Sequence, residues 1–189
     1  MIVLASTSRY RRALLEAAGV AHLAVAPRFD EDHGQPLPPE EMVVAFARAK
    51  AESVAAEHPG LLVVGSDQIP ELDGRVLTKP GTLERAREQL AAMSGRTHRL
   101  LTAIAVHAHG RTESRLVVHH MRMRPLTEAM IDEYLRRDQP FDCAGSYRVE
   151  AAGALLFDAM DGPDHTAIVG LPLTSLASLC ASFGVELLA

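Results

Sequence analysis

The stretch that decides the fold reads Leu-Leu-Val-Val-Gly-Ser-Asp-Gln and covers residues 61–68. Its apolar run ending in glycine predicts a strand buried on both faces, as in the sheets of α/β proteins. Asp67 and Gln68 are then expected at the carboxyl end of this strand, where open α/β sheets meet their ligands. A carboxylate there can hold Mg²⁺ or orient a water molecule, although aspartate after a strand is more often a turn former.

Towards the N-terminus, the sequence predicts another strand followed by a helix. Residues 2–5 are apolar, and the hydroxyl residues 6–8 offer N-caps for a helix that ends at Gly19. The free N–H groups of such a helix suit a phosphate, and Arg11 and Arg12 add charge-assisted hydrogen bonds. There is no Walker pattern, so an ordinary capped helix with a basic face is the simpler interpretation of this segment alone.

Two further charged candidates lie between these strands. Residues 27–39 hold four prolines and the acidic run Asp30-Glu31-Asp32, which predicts a loop with hard oxygen ligands. Residues 40–57 have helical composition with an apolar face, and Lys50 lies late on that helix. Taken singly, a hydrated loop and a surface lysine explain both features.

Hairpins and a helix are predicted after residue 68. Asp73-Gly74 is a turn signal that returns the chain to Lys79, from which an ammonium can reach a phosphate. A helix is expected over residues 82–93. Strands over residues 97–109 and 111–124 are expected to pair as a long hairpin.

The remainder predicts a helix over residues 127–137, a loop over 142–146, a short strand over 154–157 and a last helix over about 171–183. The carboxylate of Glu150 can accept two hydrogen bonds from a guanine edge. Strands that alternate with helices and then form a hairpin predict a mixed α/β sheet with helices outside.

Composition narrows the classes of function. The chain has 189 residues, and we predict one domain over residues 1–189. A net charge of −5 argues against a partner such as a long nucleic acid, and no apolar run approaches the roughly 20 residues of a membrane span. We therefore expect a cytosolic protein with a small ligand. Lys50 and Lys79 are the only lysines among 19 basic residues.

The cysteines and histidines predict no metal centre. Cys143 and Cys180 stand alone and are expected to be buried apolar side chains. The histidine pairs at 107 and 109 and at 119 and 120 have no HExxH spacing, so a solvated strand face is expected for them. The serines have no GxSxG pattern for a nucleophile.

The order and spacing of the short motifs resemble the Maf-like nucleoside triphosphate pyrophosphatases over nearly the whole chain. The matching motifs are Leu4-Ala-Ser-Thr-Ser with Arg11-Arg12, Lys50, Gly65-Ser-Asp-Gln, Lys79-Pro80, Ser94-Gly95 with His98 and Thr102, Ala144-Gly-Ser-Tyr, and Thr166 through Gly170-Leu-Pro-Leu. The resemblance implies a fold related to the inosine triphosphatases, elongated and mixed α/β, with two lobes and a central cleft. It also implies a homodimer and a divalent cation, Mg²⁺ or Mn²⁺.

Within that family, Gln68 and Glu150 resemble the residues of the subgroup that hydrolyses 7-methyl-GTP. The dTTP/UTP subgroup commonly has threonine and glutamine at the corresponding positions. The chemistry agrees, because the cationic 7-methylguanine offers N–H donors to a carboxylate. Tyr10 stands where that subgroup often has an aromatic residue, which can stack on an electron-poor base.

The resemblance also implies roles for individual residues. Asp67 is expected to be the general base for water attacking the α-phosphorus, and Glu31 and Asp67 to hold the cation. The remaining expected contacts to the nucleotide come from Ser6, Arg11, Arg12, Lys50 and Lys79.

Two residues depart from the family pattern: Arg9 stands where proline is common, and Pro70 is expected to end or edge its strand. Two other functions stay open. One is a dTTP/UTP pyrophosphatase, and the other is a nucleotide-binding regulator of septum formation that needs no turnover. An RNA-binding module is disfavoured by the net acidity and the few aromatic residues.

Overall fold

Residues 1–188, which the computed structural model describes, form seven strands and six α-helices. The strands are β1 (Ile2–Ala5), β2 (His22–Val25), β3 (Val63–Leu72), β4 (Arg75–Val76), β5 (Thr97–Ala108), β6 (Arg111–Met123) and β7 (Phe157–Asp161). The helices are α1 (Arg9–Ala17), α2 (Pro39–Ala55), α3 (Leu83–Met93), α4 (Glu128–Asp138), α5 (His165–Ile168) and α6 (Leu173–Ser182). Short 3₁₀-helices span Ala144–Ser146 and Ala152–Leu156.

The strands form a mixed sheet in the order β2-β1-β3-β5-β6-β7, and β4 pairs with β3. β1 is parallel to both β2 and β3, whereas β3 with β4 and β6 with β7 are antiparallel. This architecture confirms the predicted mixed α/β class. The elongated shape, the central cleft and the single domain over residues 1–189 stay predictions.

The chain divides into two units. The first comprises Met1–Gln68, Thr102–Val117 and the chain from Asp164 onward. One apolar cluster joins one face of β1, β3 and β5 to α1 and α6, and its buried members are Ile2, Leu4, Leu15, Leu62, Val64, Ile104, Val106, Ala108, Leu171, Leu176, Leu179 and Cys180. Helix α2 contacts β1 and buries Val43, Phe46 and Ala47.

The second unit comprises Ile69–Leu101 and Val118–Pro163. Helix α3 packs against α4, and each buries the apolar face that its sequence period predicts. Thr82 and Thr127 cap these helices, each accepting a hydrogen bond from a backbone N–H three residues on. No helix within residues 1–188 has both the length and the apolar character needed to cross a membrane.

Local signals placed most elements correctly. The predicted hairpins turn at Asp73-Gly74 and His109-Gly110, where all four residues have positive φ, as a two-residue type I′ loop requires. The prediction of a strand over residues 154–157 was wrong, because a 3₁₀-helix occupies Ala152–Leu156 and the strand follows it. Strand β2 and helix α5 were not predicted.

Strand β3 is twice as long as the apolar run that predicted it. Pro70 was expected to end the strand or to lie at its edge. It does not end the strand, because β3 continues to Leu72. Pro70 O accepts a hydrogen bond from Leu77 N at 2.9 Å. A strand residue at that position needs only its carbonyl for this bond, so a missing N–H is tolerated there.

Candidate active site

The first part of the site is the turn from β1 into α1. Ser8 caps α1, with its Oγ accepting a hydrogen bond from Arg11 N at 3.4 Å. Ser6 is buried, and its Oγ accepts from Ser8 N at 3.1 Å and from Arg11 NH1 at 3.4 Å. The turn therefore aims the Arg11 side chain back along the end of β1, while Arg12 is exposed on the helix.

Gly65 brings α2 against β3. A Cβ at this position would lie 2.1 Å from Ala47 O and 2.6 Å from Ala51 N, so any side chain here would push the helix away. Successive strand residues point to opposite faces, so Asp67 shares the face of Gly65 and meets α2. The close approach is what places Lys50 beside Asp67.

Asp67 lies inside β3, and the prediction that it follows the end of the strand was wrong. The parallel pairing of β1 with β3 stops at Leu4 and Val64, so Asp67 lies three residues beyond the last pair. Strand β1, a parallel neighbour of β3, has ended before this point. The Asp67 carboxylate therefore still lies at the carboxyl end of the parallel pairing.

Lys50 joins two carboxylates. Its Nζ lies 2.5 Å from Glu31 Oε1 and 2.5 Å from Asp67 Oδ1. Lys50 and Asp67 are 6% and 4% exposed, whereas the Glu31 side chain is 34% exposed. Asp67 Oδ2 is buried and has no hydrogen-bond partner within residues 1–188. Asp67 is therefore a buried carboxylate whose charge Lys50 partly neutralises and whose Oδ2 is available to a ligand.

The electrostatics make Asp67 a weaker acid than usual. Burial raises the pKa of Asp67, and the negative charge of Glu31 raises it further, against the opposing effects of Lys50 and Arg11. Burial lowers the pKa of Arg11, while Asp67 and Glu31 counteract that shift. A carboxylate with a raised pKa is a better proton acceptor than a solvated one, which suits a general base.

Arg11 is held from a second direction. Its Nε donates to Gly170 O at 2.7 Å, and Ser66 Oγ donates to the same oxygen at 2.8 Å. Gly170 has a φ of 108°, a left-handed conformation that favours glycine. The guanidinium is therefore fixed by the backbone that precedes α6, which reduces the side-chain entropy lost when it pairs with an anion.

Gln68 points to the face of β3 opposite Asp67. Its Nε2 lies within hydrogen-bond distance of Ala167 O at 2.8 Å, Thr102 Oγ1 at 3.0 Å and Ile168 O at 3.1 Å. Backbone carbonyls only accept hydrogen bonds, so they require the NH₂ group at this position and fix the amide orientation.

Tyr10 lies half-buried on α1 beside Arg9. Arg9 NH2 donates to Tyr10 Oη at 2.6 Å, and the guanidinium carbon lies 4.7 Å from the centre of the ring. Arg9, the residue that departs from the family pattern, therefore covers part of the ring that was predicted to stack on the base.

Lys79 and Glu150 belong to the second unit, and both side chains are exposed. Near Glu150, Tyr147 is anchored by His98, whose Nε2 lies 2.9 Å from Tyr147 Oη. Arg148 N donates to Tyr134 Oη at 2.9 Å. The segment that leads to Glu150 is thus held at two successive residues.

The donor chemistry of the first unit fits a divalent cation. Magnesium sites commonly use one or two carboxylates beside substrate phosphates and water, and Glu31 and Asp67 are two carboxylates joined through Lys50. The orphaned Asp67 Oδ2 would supply an oxygen to such an ion. Residues 1–188 contain no cluster of three or more His, Cys, Asp or Glu side chains suited to a metal.

Sequence reasoning missed two residues of the site. His33 Nε2 lies 3.4 Å from Glu31 Oε2, and its ring packs edge-on against Phe46 at 5.3 Å. Asp164 anchors the segment that holds Gln68, and the only sequence signal for it is an aspartate two residues before a threonine.

Two side predictions were wrong in part. His119 is 1% exposed, so it does not lie on a solvated strand face. Cys180 is buried as expected, but Cys143 is only half-buried, and both are free thiols. Burial raises the pKa of Cys143 to about 12 and that of Cys180 to about 11, which keeps both thiols protonated.

The fold and these contacts define a mixed α/β protein with a serine-capped turn after β1 and a buried ion pair between Asp67 of β3 and Lys50 of α2. Comparison with known proteins gives the family: a family model described as Maf-like protein matches residues 1–183. The chain belongs to this family, as its motifs predicted.

Individual relatives match this chain over nearly the whole length of both sequences. The chain is 45% identical to a 7-methyl-GTP pyrophosphatase of Alkalilimnicola ehrlichii over 189 residues, covering 99% of this chain and 95% of the relative. It is 43% identical to the 7-methyl-GTP pyrophosphatase of Bordetella pertussis over 185 residues, covering 98% and 93%. A Pseudomonas syringae protein of the same name is 42% identical, with 98% and 97% covered.

Proposed function

We propose that the protein hydrolyses 7-methyl-GTP to 7-methyl-GMP and pyrophosphate, and so removes a modified nucleotide from the pool. The observation that carries this proposal is the pair formed by Asp67 and Lys50, a buried carboxylate with a free oxygen beside a buried cation. Relatives with 42–45% identity that bear the name 7-methyl-GTP pyrophosphatase support the substrate.

The proposed reaction is attack by water on the α-phosphorus. Asp67 takes a proton from the water molecule, and the oxygen of that water bonds to the α-phosphorus. The bond from the α-phosphorus to the α-β bridging oxygen breaks. Pyrophosphate leaves with the electron pair of that bond. The raised pKa of Asp67 suits its role as proton acceptor.

The positive side chains of the first unit neutralise the phosphates. Lys50 is buried, and Arg11 is fixed through Gly170 O, so both are held in place before a nucleotide binds. Glu31 and Asp67 are the residues that would hold Mg²⁺ or Mn²⁺, and that ion would supply further charge neutralisation at the phosphate oxygens.

The base is proposed to be selected by Gln68 and Glu150. The amide of Gln68 donates its N–H groups to the protein, so its Oε1 is the atom left to accept a hydrogen bond from an N–H of guanine. Glu150 adds a carboxylate, which prefers the cationic methylated base to a neutral one. A homodimer and a cytosolic location stay predictions.

The test is pyrophosphate release with Mg²⁺ or Mn²⁺ from 7-methyl-GTP, GTP, dTTP, UTP and CTP, for the wild type beside Glu150→Gln. We expect a preference for 7-methyl-GTP that weakens in the variant. A preference for dTTP or UTP would keep the family and overturn the substrate. Failure to hydrolyse any nucleotide would favour the binding regulator.

A further inference from the structure

Asp164 is a buried carboxylate that accepts four hydrogen bonds within the first unit. Its Oδ1 accepts from Thr166 N at 2.9 Å and from Thr166 Oγ1 at 2.5 Å. Its Oδ2 accepts from Thr174 N at 2.9 Å and from Thr174 Oγ1 at 2.7 Å. The residue is 4% exposed, so no water competes strongly for these oxygens.

These bonds cap two helices at once. Asp164 is the N-cap of α5, and through Thr174 N it also satisfies the first turn of α6. Pro172, the N-cap of α6, makes no side-chain capping bond. Thr166 Oγ1 accepts a hydrogen bond from Leu173 N at 2.8 Å, so the side chains of Asp164 and Thr166 together cap α6 in place of Pro172.

The backbone of α5 and of the turn that follows it holds the side chains of the candidate site. Ala167 O and Ile168 O accept the hydrogen bonds of Gln68, and Gly170 O accepts those of Arg11 and Ser66. The Asp164 carboxylate makes its hydrogen bonds to Thr166 and Thr174, not to Gln68, Arg11 or Ser66. Its connection to them runs through the short segment that it fixes at both ends.

We infer that Asp164 is a positioning residue that holds the α5–α6 turn and thereby fixes the Gln68 amide with its carbonyl oxygen available to the substrate base. The identity of that base rests on the proposed function, while the positioning itself does not. If the turn is released, Gln68 loses two of its three acceptors and its amide becomes free to rotate. Discrimination between bases then falls although the catalytic carboxylate is untouched.

The kinetic test compares Asp164→Asn and the milder Thr174→Val with Thr174→Ser, which keeps the hydroxyl. We expect Asp164→Asn to raise KM for 7-methyl-GTP roughly tenfold more than KM for UTP, with kcat changed by less than about threefold; tenfold corresponds to about 1.4 kcal/mol. Thr174→Val should do the same to a smaller extent, and Thr174→Ser should restore the wild-type ratio.

Thr82→Ala is the matched control, because it removes a helix cap in the second unit. We expect it to lower stability without changing the ratio of KM values. An equal loss of kcat for all nucleotides in Asp164→Asn, with an unchanged ratio, would show that the residue is only structural and would overturn the inference.

A second readout needs no hydrolysis. In ¹⁵N-labelled protein, the side-chain NH₂ signal of Gln68, assigned by its loss in Gln68→Met, should exchange slowly with solvent in the wild type. In Thr174→Val and Asp164→Asn it should exchange at least about tenfold faster. Unchanged exchange would overturn the inference. Faster exchange in a protein that hydrolyses no nucleotide would keep the positioning role and reject the proposed function.

Discussion

Lys50 Nζ and Asp67 Oδ1 lie 2.5 Å apart, in a pair that is almost completely buried. Seventeen residues separate them in the chain, and the absence of a side chain at Gly65 allows the helix of one to reach the strand of the other. The pair balances charge in the absence of a ligand.

Lys50 should compete with a divalent cation for Glu31 and Asp67. Its ammonium already lies on one oxygen of each carboxylate, so replacing it with a neutral side chain removes a local repulsion worth a few kcal/mol at an effective dielectric of about 20. We expect Lys50→Met to bind Mn²⁺ at least about tenfold more tightly than the wild type without nucleotide, as measured by electron paramagnetic resonance at pH 8.

Arg28→Met is the charge-matched control for this experiment. The Arg28 side chain is 73% exposed and pairs with Glu57, so its loss changes net charge by the same amount without removing the ion pair of Lys50. Equal Mn²⁺ affinity in Lys50→Met and Arg28→Met would contradict the competition. With nucleotide present, Lys50→Met should lose activity because the phosphates have lost a cation.

Asp67→Asn should abolish most turnover while keeping the nucleotide bound. An amide cannot take the proton of the attacking water, and general-base catalysis contributes about 10²–10⁴-fold. We expect kcat to fall by about that factor and the dissociation constant of a non-hydrolysable analogue, measured without a divalent cation, to change by less than about threefold. Asp132→Asn, which alters a surface ion pair with Arg87, is the control. Full activity in Asp67→Asn would reject the assigned base.

Gly65→Ala should destabilise the protein through the contact with α2. The new Cβ would meet Ala47 O at 2.1 Å, and backbone cannot move aside as a flexible side chain does. We expect a loss of about 1–3 kcal/mol in the free energy of unfolding, measured by urea denaturation. Gly34→Ala meets only the end of the Asp32 side chain and should cost less than about 0.5 kcal/mol. Equal midpoints for the two variants would contradict the close packing.

His98 should make stability fall in acid. Burial lowers its pKa to about 4 from 6.5, so below pH 6.5 the unfolded chain binds a proton that the folded protein refuses. This contribution is fully present above pH 6.5 and is lost as the pH falls towards 4, by roughly 3 kcal/mol in total.

The measurement for His98 is the free energy of unfolding against pH for the wild type, His98→Gln and His120→Gln. His98→Gln cannot titrate, so its stability should depend less on pH between 6.5 and 4 than that of the wild type. His120 is exposed, so His120→Gln is the control for the loss of a surface histidine. The same slope in all three proteins would contradict a neutral buried His98.

The sequence predicted what local rules determine. The starts of α1, α3 and α4 and the turns at 73–74 and 109–110 all depend on residues close together in the chain, and these elements were placed correctly. The family resemblance then supplied the candidate residues, of which Lys50 contacts both Glu31 and Asp67.

Long-range contacts were beyond those rules. Gln68 and Ala167 are 99 residues apart, and only the folded chain shows that the Gln68 amide is held by that backbone. The length of β3 was underestimated because polar residues follow its apolar run, although Asp67 and Glu71 are each 4% exposed. A polar residue buried by its partners has no signature in the apolar period of a strand.

The most direct test of the central claim is hydrolysis of 7-methyl-GTP in water enriched in ¹⁸O, with both products analysed by mass spectrometry. Attack on the α-phosphorus predicts one ¹⁸O atom in 7-methyl-GMP and none in pyrophosphate. Label in pyrophosphate, or release of orthophosphate in its place, would contradict the proposed reaction.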